Sequence, residues 1–218
     1  TDLTLDEIYH YAESKYKISV KDKFTCFSPE TFIKIKKNKI YTYPMKGTIN
    51  ASLPDAGRKL LADQKEFAEH ITVVDLLRND IGIVSDNVKV DRFRYVSRIK
   101  TDKGAVIQTS SIISGDLEPG WQKNIGDLIY SMLPAGSVTG APKTKTVEII
   151  NSVEDYERGF YTGVAGYFDG ECVDSCVLIR FIEKIADKMY YKSGGGLTIY
   201  SDCRSEYEEL KEKVYVPF

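Results

Sequence analysis

Residues 161–192, YTGVAGYFDGECVDSCVLIRFIEKIADKMYYK, are the strongest indication of the fold class. Three segments within this stretch, 161–168, 172–181 and 188–192, are rich in Val, Ile, Tyr and Phe and are separated by short polar turns. This pattern predicts an antiparallel β-meander. Arg180 lies inside the second apolar segment, where a guanidinium must pair with an anion supplied by the protein or by a ligand.

Outward from the meander, the pattern predicts helices and then a second group of strands. Apolar residues recur every three or four positions over residues 55–80, which predicts one long helix with a single buried face: Leu60, Leu61, Phe67, Ile71, Val74 and Leu77. Other predicted helices cover 123–132, 143–151 and 206–214, and other predicted strands cover 23–28, 31–36, 39–42, 88–90 and 93–96. Strands near both ends with helices between and after them indicate an α+β protein.

Composition limits the possible functions. The 218 residues contain no linker-like tract or repeat, so we expect one domain over residues 1–218. A net charge of −2 argues against nucleic-acid binding, and no apolar run approaches the ~18 residues of a membrane span. The four cysteines are scattered and only two histidines are present, which disfavours a zinc site and suits the reduced thiols of a cytoplasmic protein.

Lys46 is a candidate functional residue, within Tyr43-Pro44-Met45-Lys46-Gly47-Thr48-Ile49. This setting predicts a strand-to-loop corner, because Pro44 fixes its own φ and Gly47 lets the backbone approach a ligand closely. On its own, such a lysine is more often an ordinary exposed side chain. Its interpretation depends on the residues found elsewhere in the chain.

Two predicted helices each carry a Glu-x-x-Glu pair, Glu66 with Glu69 and Glu206 with Glu209. Residues three apart share a helix face, so each pair directs two carboxylates the same way. If the helices converge, four carboxylates share one site and require a cation. Mg²⁺ fits, because it is held by one or two carboxylates while substrate oxygens complete its shell. The alternative is that each pair is ordinary helix surface.

A glycine run and a nearby lysine are candidates for anion binding. Ser193-Gly194-Gly195-Gly196 either presents backbone N–H groups to an anion or forms a flexible turn. Lys213 lies four residues after Glu209, so it either pairs with that carboxylate or neutralises a substrate carboxylate. Together with Arg180 and the glutamates, these residues indicate a small, multiply anionic ligand.

Eight blocks carry a family resemblance, in this order: Ser28-Pro29-Glu30, Pro44-Met45-Lys46-Gly47-Thr48, Glu69-His70 with Val74-Asp75-Leu76-Leu77-Arg78-Asn79-Asp80, Gly140-Ala141-Pro142-Lys143, Tyr161-Thr162-Gly163-Val164-Ala165-Gly166-Tyr167, Ile179-Arg180, Gly194-Gly195-Gly196, and Ser205-Glu206 through Lys213. From about residue 23 to the end, the chain resembles the chorismate-utilising enzymes, which include anthranilate, aminodeoxychorismate, isochorismate and salicylate synthases. The resemblance implies two large antiparallel sheets packed face to face, with helices outside and the active site between them. It also implies further elements before the matching region, where only residues 1–22 stand here.

The resemblance implies roles for individual residues. Glu69 and Glu209 match the Mg²⁺ ligands, with Glu66 and Glu206 as ligands or their partners, and Glu30 matches a glutamate implied to protonate a departing hydroxyl. The positions implied to hold the substrate are Gly47, Thr48, Ser137, Tyr161, Arg180, Gly195, Gly196 and Lys213.

Lys46 distinguishes between branches of the family. Anthranilate and isochorismate synthases typically carry alanine at this place, whereas the aminodeoxychorismate synthases carry lysine, implied to be a covalent nucleophile. Neighbouring cations would lower the pKa of such a lysine and make it a usable amine. The resemblance thus implies amination of chorismate at C4 to 4-amino-4-deoxychorismate, a precursor of para-aminobenzoate and folate. It also implies that a separate glutamine amidotransferase subunit supplies the ammonia.

Gln108 departs from the family pattern, because many members carry histidine in this segment. Glutamine cannot act as a general acid or base, so its presence argues against elimination of pyruvate and agrees with a product that keeps the enolpyruvyl group. Two other hypotheses stay open. One is an anthranilate synthase component I, and the other is a non-catalytic remnant that binds chorismate or a partner subunit.

Overall fold

The computed structural model describes residues 2–101, 104–199 and 201–217. Helices and strands follow in the order α1 (Leu5–Tyr11), β1 (Tyr16–Val20), β2 (Phe24–Ser28), β3 (Thr31–Lys36), β4 (Lys39–Thr42), β5 (Met45–Asn50), α2 (Ala56–Ala62), α3 (Gln64–Gly82), β6 (Asp86–Thr101), β7 (Gly104–Asp116), α4 (Ile125–Ser131), α5 (Lys143–Val153), β8 (Val164–Phe168), β9 (Val173–Val177), β10 (Phe181–Ile185), β11 (Lys188–Lys192) and α6 (Cys203–Glu212). Short 3₁₀ helices occupy Trp121–Asn124 and Gly136–Val138. The predicted α+β class with antiparallel sheets is confirmed.

The smaller of two compact units comprises the described residues within 1–30, 157–165 and 176–218. Its antiparallel sheet has the order β1-β2-β10-β11. Phe24 and Phe181 stack in its core with ring centroids 4.6 Å apart, and Tyr161 packs beside them. The apolar side of α1 contributes to a second cluster in the same unit.

The larger unit comprises the described residues within 31–156 and 166–175 and holds most of a seven-stranded sheet. The strand order is β5-β7-β4-β3-β9-β8, and the long strand β6 pairs antiparallel with β7. Helix α3 packs on this sheet through Val74 and Leu77, which contact the fully buried Ile113 of β7. This packing places the first turns of α3 near β5, where Lys46 lies.

Local patterns predicted some elements correctly. The β3–β4 hairpin is confirmed, with Lys37 and Asn38 at φ of 51° and 55° in the left-handed region that a tight hairpin turn requires. The single helix over 55–80 is wrong, because Asp63 ends α2 and begins α3. The Asp63 side chain accepts a hydrogen bond from the Glu66 N–H, as an N-cap does.

The predicted apolar stripe and the second meander strand are partly wrong. Leu61, Phe67 and Ile71 are exposed, and the buried face of α3 instead carries His70, Val74, Leu76, Leu77, Asp80 and Ile81. The apolar segment 172–181 is divided, because β9 ends at Val177 and β10 begins at Phe181. Arg180 therefore lies in the connection, with φ of 55°. The prediction of one domain over residues 1–218 stays a prediction.

Candidate active site

Lys46 lies inside strand β5, not at the strand-to-loop corner that the sequence predicted. Its backbone carbonyl accepts a hydrogen bond from the Thr109 hydroxyl of β7. Lys46 Nζ lies 3.5 Å from Glu69 Oε2, and Lys65 Nζ lies 3.7 Å from the other oxygen of that carboxylate. The Lys46 and Glu69 side chains are 35% and 24% exposed, so both are reachable by a ligand.

Gly47 brings β5 against the second predicted metal ligand. A bulge separates Lys46 from Thr48, and Gly47 has φ of 77°, a conformation that favours glycine. A Cβ at Gly47 would lie 2.7 Å from Glu66 Oε2, so a larger residue would displace the carboxylate. Burial, and secondarily the neighbouring Glu69, raise the pKa of Glu66.

The Glu66–Glu69 pair suits a hard cation. The two carboxylates lie on one helix face, and carboxylates are donors that Mg²⁺ takes together with substrate oxygens. Burial and the neighbouring carboxylate disfavour the charged form of Glu66, and a bound cation would offset this cost. Among the residues that the structure describes, no three His, Cys, Asp or Glu side chains form a metal-binding group. Mg²⁺ binding by the glutamates thus stays a prediction, in which further ligands must come from groups outside each glutamate pair.

Gln108, which replaces the family histidine, lies in β7, the strand that pairs with β5. In the β5–β7 register Gln108 faces Thr48, and Thr109 faces Lys46. Lys46, Gly47, Thr48, Glu66 and Glu69 therefore form one group of neighbouring residues in the larger unit.

A second group of predicted residues comes together in the smaller unit. The buried Tyr161 places its hydroxyl 2.9 Å from where a Gly194 Cβ would lie. A Cβ at Gly195 would lie 3.8 Å from Glu206 Oε2 and 3.9 Å from Lys213 Nζ. The glycine run thus borders an acidic and a basic side chain. Side chains larger than that of glycine would occupy the space between this backbone and its neighbours.

Charged residues of α6 already have partners in this group. Lys213 Nζ lies 2.6 Å from Glu209 Oε1, which matches the i,i+4 alternative. The Ser201 hydroxyl donates to Glu206 Oε1 at 2.6 Å. Gly196 lies exposed at the end of the same glycine run.

Arg180 contacts the C-terminal segment of the smaller unit. Its guanidinium donates to the Lys213 carbonyl and lies 5.0 Å from the centre of the Tyr215 ring. A backbone carbonyl and an aromatic face thus contact the guanidinium among the described residues, and its pairing with an anion stays a prediction.

Glu30 and Ser137 occupy fixed backbone positions. The Glu30 N–H donates to the Ser28 hydroxyl at 3.1 Å, and its carbonyl accepts from the Val177 N–H at 3.2 Å. Ser137 lies exposed in a 3₁₀ turn whose first residue, Gly136, donates its N–H to Asp80 Oδ2 at 3.1 Å.

Asp80 anchors the loop that carries Ser137, a role that the sequence analysis did not assign. Lys143 Nζ lies 2.6 Å from Asp80 Oδ1 and also donates to the Met132 carbonyl. A Cβ at Gly136 would lie 2.6 Å from Asp80 Oδ2, so glycine is needed for this approach. Burial raises the pKa of Asp80, and the hydrogen bond from Lys143 opposes that rise.

We expect Asp80→Ala to lower the free energy of unfolding by roughly 3 kcal/mol, because it leaves the Lys143 ammonium without its anion in a partly buried site. Urea unfolding measures this loss. Asp75→Ala, which removes an exposed ion pair with Arg78 on the same helix, should change stability by less than about 1 kcal/mol. Equal losses in the two variants would contradict the anchoring role.

A buried network behind the Lys46 strand was also missed. His70 Nε2 lies 2.7 Å from the Ser111 hydroxyl, which accepts a hydrogen bond from the Arg94 N–H at 2.8 Å. Burial, and secondarily Arg94, lower the pKa of His70 to about 4, so this histidine is neutral near pH 7. The signal available in the sequence was the position of His70, four residues before Val74 on the buried side of α3.

Comparisons with known proteins agree with this architecture. A model of the family described as chorismate binding enzyme matches residues 6–217, somewhat more of the chain than the resemblance from residue 23 suggested. An uncharacterized PabA-like protein of Haemophilus influenzae is 53% identical over 216 residues, covering 99% of this chain and 66% of that protein.

Two better-described proteins are more distant. Aminodeoxychorismate synthase component 1 of Bacillus subtilis is 32% identical, covering 97% of this chain and 46% of that protein. The crystal structure of anthranilate synthase component I from Streptococcus pneumoniae superposes with a TM-score of 0.81 at 28% identity, covering 97% of this chain and 48% of that one. The chain thus spans between about half and two thirds of the length of these relatives. The family match over almost the whole chain shows that it belongs to the chorismate binding enzyme family.

Proposed function

We propose that this chain carries the chemistry of a chorismate aminase, which replaces the C4 hydroxyl of chorismate by an amino group to give 4-amino-4-deoxychorismate. The observation that supports this most is the position of Lys46, whose amino group lies 3.5 Å from the carboxylate of a predicted metal ligand. A nucleophile at this place could reach a substrate that is held through a cation on the same carboxylates. The likeness to an aminodeoxychorismate synthase at 32% identity is a second support.

In the proposed reaction, Lys46 reacts as the free amine after leaving its contact with Glu69. Its nitrogen bonds to C2 of chorismate, the two conjugated ring double bonds shift, and the bond between C4 and its hydroxyl breaks, so that the hydroxyl departs as water with a proton from Glu30. Ammonia then bonds to C4, both double bonds shift back, and the C2–nitrogen bond to Lys46 breaks, while the proton lost by the ammonia nitrogen returns to Glu30. Chorismate and ammonia thereby give aminodeoxychorismate and water, with Lys46 regenerated.

The remaining predicted residues bind and orient the substrate in this proposal. Mg²⁺, held by Glu66, Glu69, Glu206 or Glu209, would neutralise substrate carboxylate charge when bound. Gly47, Thr48, Ser137, Tyr161, Gly195, Gly196 and Lys213 are the positions proposed to hold the rest of the substrate. Gln108 cannot move a proton, so the enolpyruvyl group stays on the ring.

Ammonia is proposed to come from a glutamine amidotransferase subunit, with free ammonium as the substitute in vitro. Every helix among the described residues is too short or too polar to cross a bilayer.

A second candidate is anthranilate synthase, favoured by the TM-score of 0.81 with such an enzyme. Product analysis separates the two. The complete gene product that contains this sequence is incubated with chorismate, ammonium and Mg²⁺, and small molecules are resolved by mass spectrometry. We expect aminodeoxychorismate. Anthranilate would replace the proposal by the second candidate, and unchanged chorismate would favour a binding protein without catalysis.

For the chorismate contact of Arg180, we expect Arg180→Ala to raise KM by about 10- to 100-fold, the loss of one charge-assisted hydrogen bond. Steady-state kinetics and thermal melting are measured together. Arg204→Ala, which removes an exposed arginine of α6, is the matched control and should leave KM unchanged. A lowered melting temperature with unchanged KM would assign Arg180 to holding the Lys213 carbonyl alone.

A further inference from the structure

Arg94 is a buried charge that the proposed reaction does not use. It is 8% exposed and has φ of 41°, a left-handed conformation that non-glycine residues seldom adopt. It lies at an irregularity in β6, where the pairing with β7 shifts between Arg92 and Tyr95. Such bulges redirect a side chain, and backbone strain of this kind is often found where function requires it.

The guanidinium of Arg94 joins two helices at their junction. It donates to the Leu61 carbonyl at 2.7 Å, to the Leu60 carbonyl at 2.8 Å and to the Asp63 carbonyl at 3.4 Å. These carbonyls lie at the end of α2 and at the N-cap of α3. The carbon of the guanidinium also lies 5.1 Å from the centre of the Phe67 ring, in the first turns of α3.

The backbone of Arg94 fixes the same helix from a second side. Its N–H donates to the Ser111 hydroxyl, which also contacts His70 on α3, and the Ser111 N–H donates to the Pro44 carbonyl at 2.9 Å. Pro44 directly precedes β5. One residue therefore ties the start of α3 to the strand that carries Lys46 and Gly47.

From this geometry we propose that Arg94 is a positioning residue, which holds the first turns of α3 so that Glu66 and Glu69 face Lys46 and Gly47. The inference rests on the proposed function of those carboxylates as cation ligands. The tolerance is small, because Glu66 Oε2 already lies close to the Gly47 backbone. A slight rotation of α3 would move both carboxylates relative to β5.

The test measures Mg²⁺ affinity by isothermal titration calorimetry, together with the melting temperature, for wild type and for two variants. Arg94→Ala removes all three side-chain hydrogen bonds, and Arg94→Lys keeps the charge without the planar fork of donors. We expect both to bind Mg²⁺ about 10- to 100-fold more weakly, as losses of groups that orient metal ligands do. Arg92→Ala, whose exposed arginine stacks on Tyr95, is the control and should match wild type.

Chemical rescue separates positioning from general loss of stability. Millimolar guanidinium should restore most of the Mg²⁺ affinity of Arg94→Ala, whereas the same concentration of sodium chloride should not. Wild-type affinity in both Arg94 variants, or weakened affinity in Arg94→Ala that guanidinium does not restore, would overturn this inference alone. A wild-type protein that binds no Mg²⁺ would contradict the proposed function and this inference together.

Discussion

Lys46→Ala should lower the rate of chorismate amination by at least about 100-fold, the lower end of what a positioned catalytic group contributes. The reason is chemical, because alanine cannot form the bond to C2 that prepares C4 for ammonia. Mass spectrometry of products formed from chorismate, ammonium and Mg²⁺ measures this loss. Any residual turnover should shift towards products that do not need a lysine adduct.

A lysine on another strand of the same sheet provides the control. Lys39 on β4 also pairs with a carboxylate, that of Asp116, but lies outside the candidate site. Lys39→Ala should therefore aminate chorismate at the wild-type rate. If Lys46→Ala does so as well, covalent catalysis by this lysine is refuted, while the family assignment is unaffected.

Glu66→Gln and Glu69→Gln should each weaken Mg²⁺ binding by at least about 10-fold, because each removes a charged oxygen donor. Glu66→Gln should also raise the melting temperature of the protein without metal. Burial and the neighbouring Glu69 raise the pKa of Glu66 in the folded protein. The ionised form of Glu66 therefore opposes folding once the pH rises above 4.5, the ordinary pKa of a glutamate. An uncharged side chain of the same shape removes that penalty.

These opposite effects on metal affinity and stability identify a binding site. Calorimetry measures the first and thermal melting in EDTA the second, both near pH 7. Glu148→Gln, on the exposed side of α5 where Glu148 pairs with Lys145, should change neither by much. A Glu66→Gln variant that keeps wild-type affinity and melts at a lower temperature would contradict the metal role.

Elements determined by local chemistry were predictable from the sequence. The turn at Lys37 and Asn38 needed only two residues that tolerate positive φ between two alternating segments, and the structure places it there. The start of α5 after Pro142 followed from the preference of helix beginnings for proline, because the N–H that proline lacks would have no acceptor within the helix there. Both features depend on a few consecutive residues.

The errors arose where distant residues override the local pattern. The apolar periodicity runs through Asp63, but this side chain caps α3 and divides the predicted helix. Phe67 fits the apolar stripe, but it lies beside the Arg94 guanidinium and the Phe93 ring at the edge of the helix. No spacing rule connects position 94 with position 67.

The candidate site shows the same division. The resemblance supplied Lys46, Gly47, Glu66 and Glu69, and the structure brings these four residues together in one unit. The residues that hold them, such as His70, Ser111 and Arg94, are joined through side chains 17 to 41 positions apart. Such contacts depend on the folded sheet and helix together, so they could not be read from the sequence alone.

The most direct test of the central claim is to search for the covalent intermediate on Lys46. The complete gene product is mixed with chorismate and Mg²⁺ without ammonium, quenched, digested and analysed by peptide mass spectrometry. The account predicts that the peptide containing Lys46 gains the mass of chorismate less one water, and that ammonium added before quenching removes this species. Turnover to aminodeoxychorismate with Lys46 unmodified under every condition would contradict the account.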